Sequence, residues 1–234
     1  NVTQDAEVLL EINKQLGDIM RCRGNGNIDI SLNPSRNIFD LRGDYTVSEG
    51  NYHLVLLGIT SKDFIINEGG SIAFNGNIRN TNMNVGATYR TKASISTLIA
   101  DTTSVSNRRT VDCGIQLRGP LTNPEISFSI DIPDLDPITK GRVESALSTA
   151  DKIQKQFMAL IFSGSFVPDE QSGIVNNTTV LYSNASEILS NQFNNIFRQL
   201  DIPLDLGFNY QPGSGYGNKD LFDMSLSYQA FNNR

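Results

Sequence analysis

Side chains able to do bond-making chemistry are few and scattered. His53 is the only histidine, it sits in strand-like text, and no GxSxG-type nucleophile lies near it. Cys22 and Cys113 are the only cysteines; with one histidine and no CxxC, a zinc site cannot be assembled. Two cysteines allow one disulfide, but the apolar neighbours Met20, Val111, Ile115 and Leu117 favour two small buried hydrophobes. Asp131, Asp134 and Asp136 lack the spacing of a calcium loop, and Asp136 before Pro137 has another use as a helix cap. Gly69-Gly70 carries no phosphate-loop lysine and reads as a turn. Asn-X-Ser/Thr triplets at 1, 176, 177 and 184 arise readily in Asn-rich text. No enzyme and no cofactor is expected.

Composition narrows the partners. The net charge is −6 with a pI near 4.8, which argues against nucleic acid and gives no attraction to an anionic membrane surface. Hydrophobic residues make up 38% and charged residues 19% of 234 residues, enough to bury one large core or two modest ones. Frequent Asn, Ser, Thr and Gly suit a β-rich, extracytoplasmic protein. No apolar run approaches the ~20 residues of a membrane helix, and there is no signal peptide pattern. Strand-like text at both ends reads as a fragment of a longer protein.

Most of the chain alternates with period 2. Residues 6–11 and 17–23 look like strands, and Asn25-Gly26 signals a tight hairpin turn before Ile28, Ile30 and Leu32. From Phe39 to Tyr89 strand follows strand: Phe39, Leu41, Tyr45 and Val47 oppose Asp40, Arg42, Asp44 and Thr46, because successive side chains face opposite sides of a sheet. Residues 52–57 are apolar on both faces. Ile72 and Phe74, then Met83, Val85, Ala87 and Tyr89, continue the pattern. The polar stretch 101–109 reads as a surface loop, after which Val111, Cys113, Ile115 and Leu117, then Ile126, Phe128 and Ile130, complete it.

At Asp136-Pro137 the period changes to 3.6. A helix is predicted over about 138–163, stopped by Gly164 and Pro168, and a second over about 185–200 behind a capping-box-like Asn184 and Glu187. Leu204 to Tyr210 and Phe222 to Tyr228 alternate again around the loop PGSGYG, predicting a C-terminal β-hairpin. Three segments result: a β segment 1–133, a helical segment 134–201 and a hairpin 202–234.

A sheet of about ten strands with one apolar face, roughly 40–50 Å across, must be covered. It can close as a barrel, fold over as a sandwich, accept the helices, or hold an apolar ligand. Two helices leave much of that length bare, and glycines at 43, 58, 76, 86 and 114 permit sharp bending.

The stretches RGDYTVSEGNYHLVLLG (42–58), FIINEGGSIAFNGN (64–77), MNVGATYRT (83–91), VDCGIQLRGPLTNPEISFSIDIP (111–133) and LIFSGSFVP (160–168) resemble the C-terminal region of TamB, the translocation and assembly module subunit. TamB lies within the AsmA-like, bridge-like lipid-transfer group. SNQFNNIFRQL and the closing LSYQAFNNR also fit, so the resemblance spans nearly the whole chain; Asn51 inserted between Gly50 and Tyr52 departs from the pattern. The resemblance implies a mainly β fold, an elongated U-folded sheet or β-taco with an apolar interior, two C-terminal amphipathic helices and a terminal hairpin. It also implies a periplasmic location, with the parent protein anchored in the inner membrane of a Gram-negative bacterium. An outer-membrane barrel partner of the Omp85 family and a role in phospholipid transport and outer-membrane protein assembly follow in the same way.

On that reading acyl chains lie along a hydrophobic trough. The candidate lining is Ile28, Ile30, Leu32, Phe39, Leu41, Tyr45, Val47, Leu54, Leu56, Ile72, Phe74, Met83, Val85, Tyr89, Val111, Ile115, Leu117, Ile126, Phe128 and Ile130. Two rival readings stand beside it: a scaffold that binds the barrel partner or nascent strands by β-augmentation, and a closed β domain that does neither. A charged substitution, Phe74→Arg or Val85→Asp, is expected to block lipid transport with the fold retained; unfolding seen by circular dichroism would instead mark an ordinary core.

Overall fold

A computed structural model describes residues 1–3, 7–13, 17–33, 38–56, 60–77, 80–100, 108–121, 124–168, 205–211 and 221–227. Eight strands form one antiparallel sheet: β1 (Glu7–Asn13), β2 (Asp18–Asn33), β3 (Ile38–Leu56), β4 (Thr60–Ile66), β5 (Ser71–Gly76), β6 (Asn82–Ser94), β7 (Arg108–Pro120) and β8 (Glu125–Asp131). Their order is β1-β2-β3-β4-β6-β7-β8, and β5 lies beyond the end of β4 in the same slot between β3 and β6. Two further strands, β9 (Asp205–Gln211) and β10 (Leu221–Ser227), pair antiparallel with each other. The large sheet is therefore seven strand positions wide, about 29 Å at ~4.8 Å per step, rather than ten.

Two strands are longer than the alternation predicts. β2 runs straight through Asn25-Gly26, which is no turn: both residues pair with β3, Asn25 with Thr46 and Gly26 with Tyr45. The local turn preference is overridden because this stretch must pass beneath Tyr45. A Cβ on Gly24 would strike the Thr46 carbonyl oxygen and stand 2.9 Å from the Tyr45 ring, and one on Gly26 would stand 3.1 Å from that ring. The tyrosine thus takes the place of two missing side chains on β2, and its hydroxyl reaches the Cys22 sulfur at 3.9 Å.

β3 keeps its apolar residues on one face by a bulge. Arg23 pairs with Glu49 but Gly24 pairs with Val47, so Ser48 is the extra residue. Before it the odd positions Leu41, Tyr45 and Val47 are buried; after it the even positions Tyr52 and Leu54 are. Side-chain direction has period 2, so one inserted residue reverses the phase.

The middle of the sheet is weakly joined. β4 meets β6 only at Ile65–Thr88 and Ile66–Ala87, and β5 meets β6 only from Ser71–Asn84 to Ala73–Asn82. By contrast β2 follows β3 from Ile19–His53 to Asn33–Ile38, and β6 follows β7 over its whole length. The β4–β5 turn strengthens the junction from both sides: Val47 N–H donates to the Gly70 carbonyl, Gly69 N–H to that of Val47, and Asn67 N–H to that of Gly86. Two leaves, β1 to β5 and β6 to β8, meet there through these few pairs. From Tyr89 to Ser94, β6 pairs with β7 alone.

The helical stretch is two helices, α1 (Pro137–Ala146) and α2 (Ala150–Ser163), not one. Asp136 caps α1 as expected, accepting from the Ile138 and Thr139 amides; the Thr139 side-chain hydrogen bond first, and then these amides, hold its carboxyl below the usual range. Thr149 caps α2 by accepting from Lys152 N–H, and Gly164 closes it in the left-handed conformation. The break was readable in Thr149, a good cap followed by Asp151. The helix predicted over 185–200 lies outside the described residues.

Gly43 tests the backbone account. Its φ is +125°, and a Cβ there would strike the Asn27 carbonyl on β2. Gly43→Ala is expected to destabilise the chain by about 3 kcal/mol or more in urea unfolding, from strain plus overpacking.

Candidate functional site

The register brings the apolar residues of every strand into common rows. One row crosses all seven strand positions: Val8, Cys22, Gly50, Ile66, Ala87, Ile115 and Phe128 are successive partners. A second runs Gly26, Tyr45, Ile72, Met83 and Gly119, and shorter rows join Val85, Leu117 and Ile126, and Tyr89, Cys113 and Ile130. Cross-strand partners share a face, so these rows are one surface.

Most of the predicted lining belongs to this surface, but not all of it is open to a ligand. Tyr45, Val47, Leu54, Met83, Val85, Val111, Ile115 and Leu117 are buried in one core cluster, and Ile28, Ile72, Phe74, Tyr89, Ile126, Phe128 and Ile130 pack against it half-buried. Leu41 is also buried. Leu32 pairs with Phe39 in register, and Leu56 with Thr60; the side chains of these residues lie outside what is described.

Exposure changes along the surface. Val111 and Cys113 are 0% exposed, whereas Ile30, on the part of β2 with no pairing on its β1 side among the described residues, is 46% exposed although its partner Leu41 is buried. The buried part carries α2. Gln156 to Ile161 are six consecutive buried residues, and because a helix turns ~100° per residue, they cover its whole circumference. The Phe157 ring stands 4.7 Å from Phe128 of β8. Gln156 is itself a clasp: its amide nitrogen donates to the Val167 carbonyl at 2.7 Å, and its oxygen accepts from Val167 N–H at 2.9 Å. The chain after Gly164 is thereby tied back along the helix, with Phe166 and Val167 buried. Val85 is only 7% exposed and sits inside the core, so Val85→Asp would break the fold rather than probe a ligand surface.

The opposite face is wet and cross-linked by polar pairs. Arg90 donates to both Asp112 oxygens at 2.6 and 2.7 Å, which holds the Asp112 carboxyl below its usual range. His53 lies 2.6 Å from Asp63, its register partner, so the one histidine is a surface pair across strands. Thr88 donates to Asn67, and Gln116 and Arg118 donate to Asn84. A depression of about 680 Å³ beside the bulge is lined by Glu7, Arg21, Arg23, Glu49 and Glu68 among others, a mixed-charge surface with no convergent chemistry. Among the described residues no cluster of His, Cys, Asp and Glu could hold a metal ion.

Two residues of the apolar surface escaped the sequence reading. Lys62 is the register partner of Leu54, and Arg109 that of Ala93, so both cations stand on the apolar face. Residues 101–109 read as a loop, which hid Arg109; in fact Arg108 and Arg109 begin β7. The signal available was parity, since Arg109 is in phase with Val111, Cys113 and Ile115.

The chain is thus a mainly β protein, one antiparallel sheet of eight strands with its apolar side chains on one face and two helices following it. The model of the TamB C-terminal domain matches residues 2–223, and the chain belongs to that family. With membership goes the family-level role in outer-membrane assembly and lipid transport. No curated protein matches the chain.

Burial pushes the Cys113 thiol up to about 12, with the Asp112 charge adding to it, and burial likewise raises Cys22. Both are free. Neither thiol is expected to react with Ellman's reagent in the native protein at pH 8, and both should react in guanidinium; fast native labelling would show that the leaves open.

Proposed function

We propose that the chain is a segment of a periplasmic lipid conduit. The U-folded sheet shields phospholipid acyl chains on its apolar face during inner-to-outer membrane transport, in support of outer-membrane protein assembly. The observation that carries this reading is the continuous apolar face itself, which reaches solvent at Ile30 on the unpaired part of β2. An ordinary core would be sealed throughout, because each methylene left in water costs about 0.8 kcal/mol. Ile28, Ile72 and Phe74, all half-buried, continue the exposed end inward, so an acyl chain entering at Ile30 meets apolar contacts at each step. The mechanism is passive: headgroups stay in water, tails exchange one apolar surface for another, and no residue does covalent chemistry. An Omp85-type barrel is the proposed partner at the outer membrane.

The scaffold reading has its own support. β1 and β8 are the sheet edges, and β2 beyond Gly26, where Val2 forms an isolated bridge, has no pairing on its β1 side among the described residues. An open edge can accept a strand.

Lipid extraction and native mass spectrometry of the purified chain separate the two. The conduit predicts co-purifying phospholipid, reduced severalfold by Ile30→Asp, while the melting temperature changes by no more than a few degrees because Ile30 is already half in water. A wild-type protein free of lipid, or an Ile30→Asp protein that carries as much lipid as wild type, contradicts it.

A further inference from the structure

The apolar face is not free of charge. Among the described side chains of β2 to β8, those in phase with the buried rows include two charged groups, Lys62 on β4 and Arg109 on β7, and no acid. Nearby acids are already matched on the outer face, Asp63 by His53 and Asp112 by Arg90. Among the described residues neither Lys62 nor Arg109 has an ion-pair partner. The Arg109 Nε is out of contact with solvent and has no hydrogen-bond partner. A guanidinium nitrogen in that condition is destabilising, and native folds rarely leave one so without a use.

Their place in the fold suggests the use. The two cations belong to different leaves, and both lie in the half of the sheet where β4 and β6 no longer pair. The Lys62 ammonium crosses this gap to stand 5.6 Å from the centre of the Tyr89 ring on β6. Arg109 is next to β6 on its far side, opposite Ala93. A positive pair at the border of an apolar surface is the complement of an amphiphile with an anionic head and apolar tails, whereas a free anion would leave the apolar rows unused. Arg and Lys are the side chains that hold phosphate oxygens by charge-assisted bonds.

We propose that Lys62 and Arg109 receive the phosphate of a phospholipid at the β4–β6 gap, with its acyl chains starting from the half-buried Tyr89 beside Lys62. This assignment rests on the conduit reading and adds to it a headgroup site. It makes the sheet selective for phosphate-bearing lipid over neutral lipid of the same chain length.

The test uses calorimetric titration of the 234-residue chain with dioctanoyl phosphatidylglycerol, dioctanoylglycerol and inorganic phosphate. Wild type is expected to bind the phospholipid at least tenfold more tightly than the diacylglycerol, and phosphate alone only weakly. The K62M/R109M double variant is expected to bring the two lipid affinities within about twofold. The single K62M variant, at the rim, should cover part of that distance and serves if the double variant does not fold. An undiminished preference in the variants overturns the headgroup site and leaves the conduit standing. Inorganic phosphate competing as well as the lipid also overturns it, in favour of a free-anion site. Binding of neither lipid by wild type removes the conduit and the headgroup site together.

Discussion

Everything in this fold depends on cross-strand register that keeps apolar side chains on one face. Side-chain direction alternates along a strand, so a slip of one residue in any pairing would turn that strand's Val, Ile and Phe residues into water. β3 shows how tightly this is controlled. It is the longest strand, it bonds β2 on one side and both β4 and β5 on the other, and its apolar phase reverses midway. The bulge at Ser48 corrects the reversal at the point where β4 gives way to β5, and the β4–β5 turn is hydrogen-bonded to Val47 beside it. One extra residue thus phases the strand.

Given a one-sided sheet, the remaining question is cover. α2 supplies it at one end, enclosed on every side from Gln156 to Ile161 and locked by the Gln156–Val167 clasp. Satisfying both halves of a buried amide with one backbone residue leaves no polar cost inside the core. Elsewhere on the same face Ile30 is 46% exposed.

Much of this was legible in the residues. Strict alternation in 41–47 and 111–117 marks strands whose burial follows their apolar positions, and the Asp136-Pro137 start of α1 is a local signal read from one cap. What escaped was non-local. Asn25-Gly26 is a strong turn signal that loses to the packing of Tyr45 over β2, a contact between residues about twenty apart in sequence. The end-to-end placement of β4 and β5 in one slot depends on the length of β3, which composition does not state, and it sets eight strands in seven positions. Arg109 was lost to a run of polar text because charge suggests a loop, while its register with Ala93 places it on the apolar face.

Two exposed isoleucines allow a direct test of the proposed lipid shielding. Ile30 stands on the apolar face and Ile65 on the polar face, 46% and 61% exposed. The decisive measurement is photo-crosslinking in cells from benzoylphenylalanine placed at each position, with the adducts identified by mass spectrometry. Lipid adducts from position 30 and none from position 65 are the predicted result; equal lipid labelling at both, or none at either, would contradict the account.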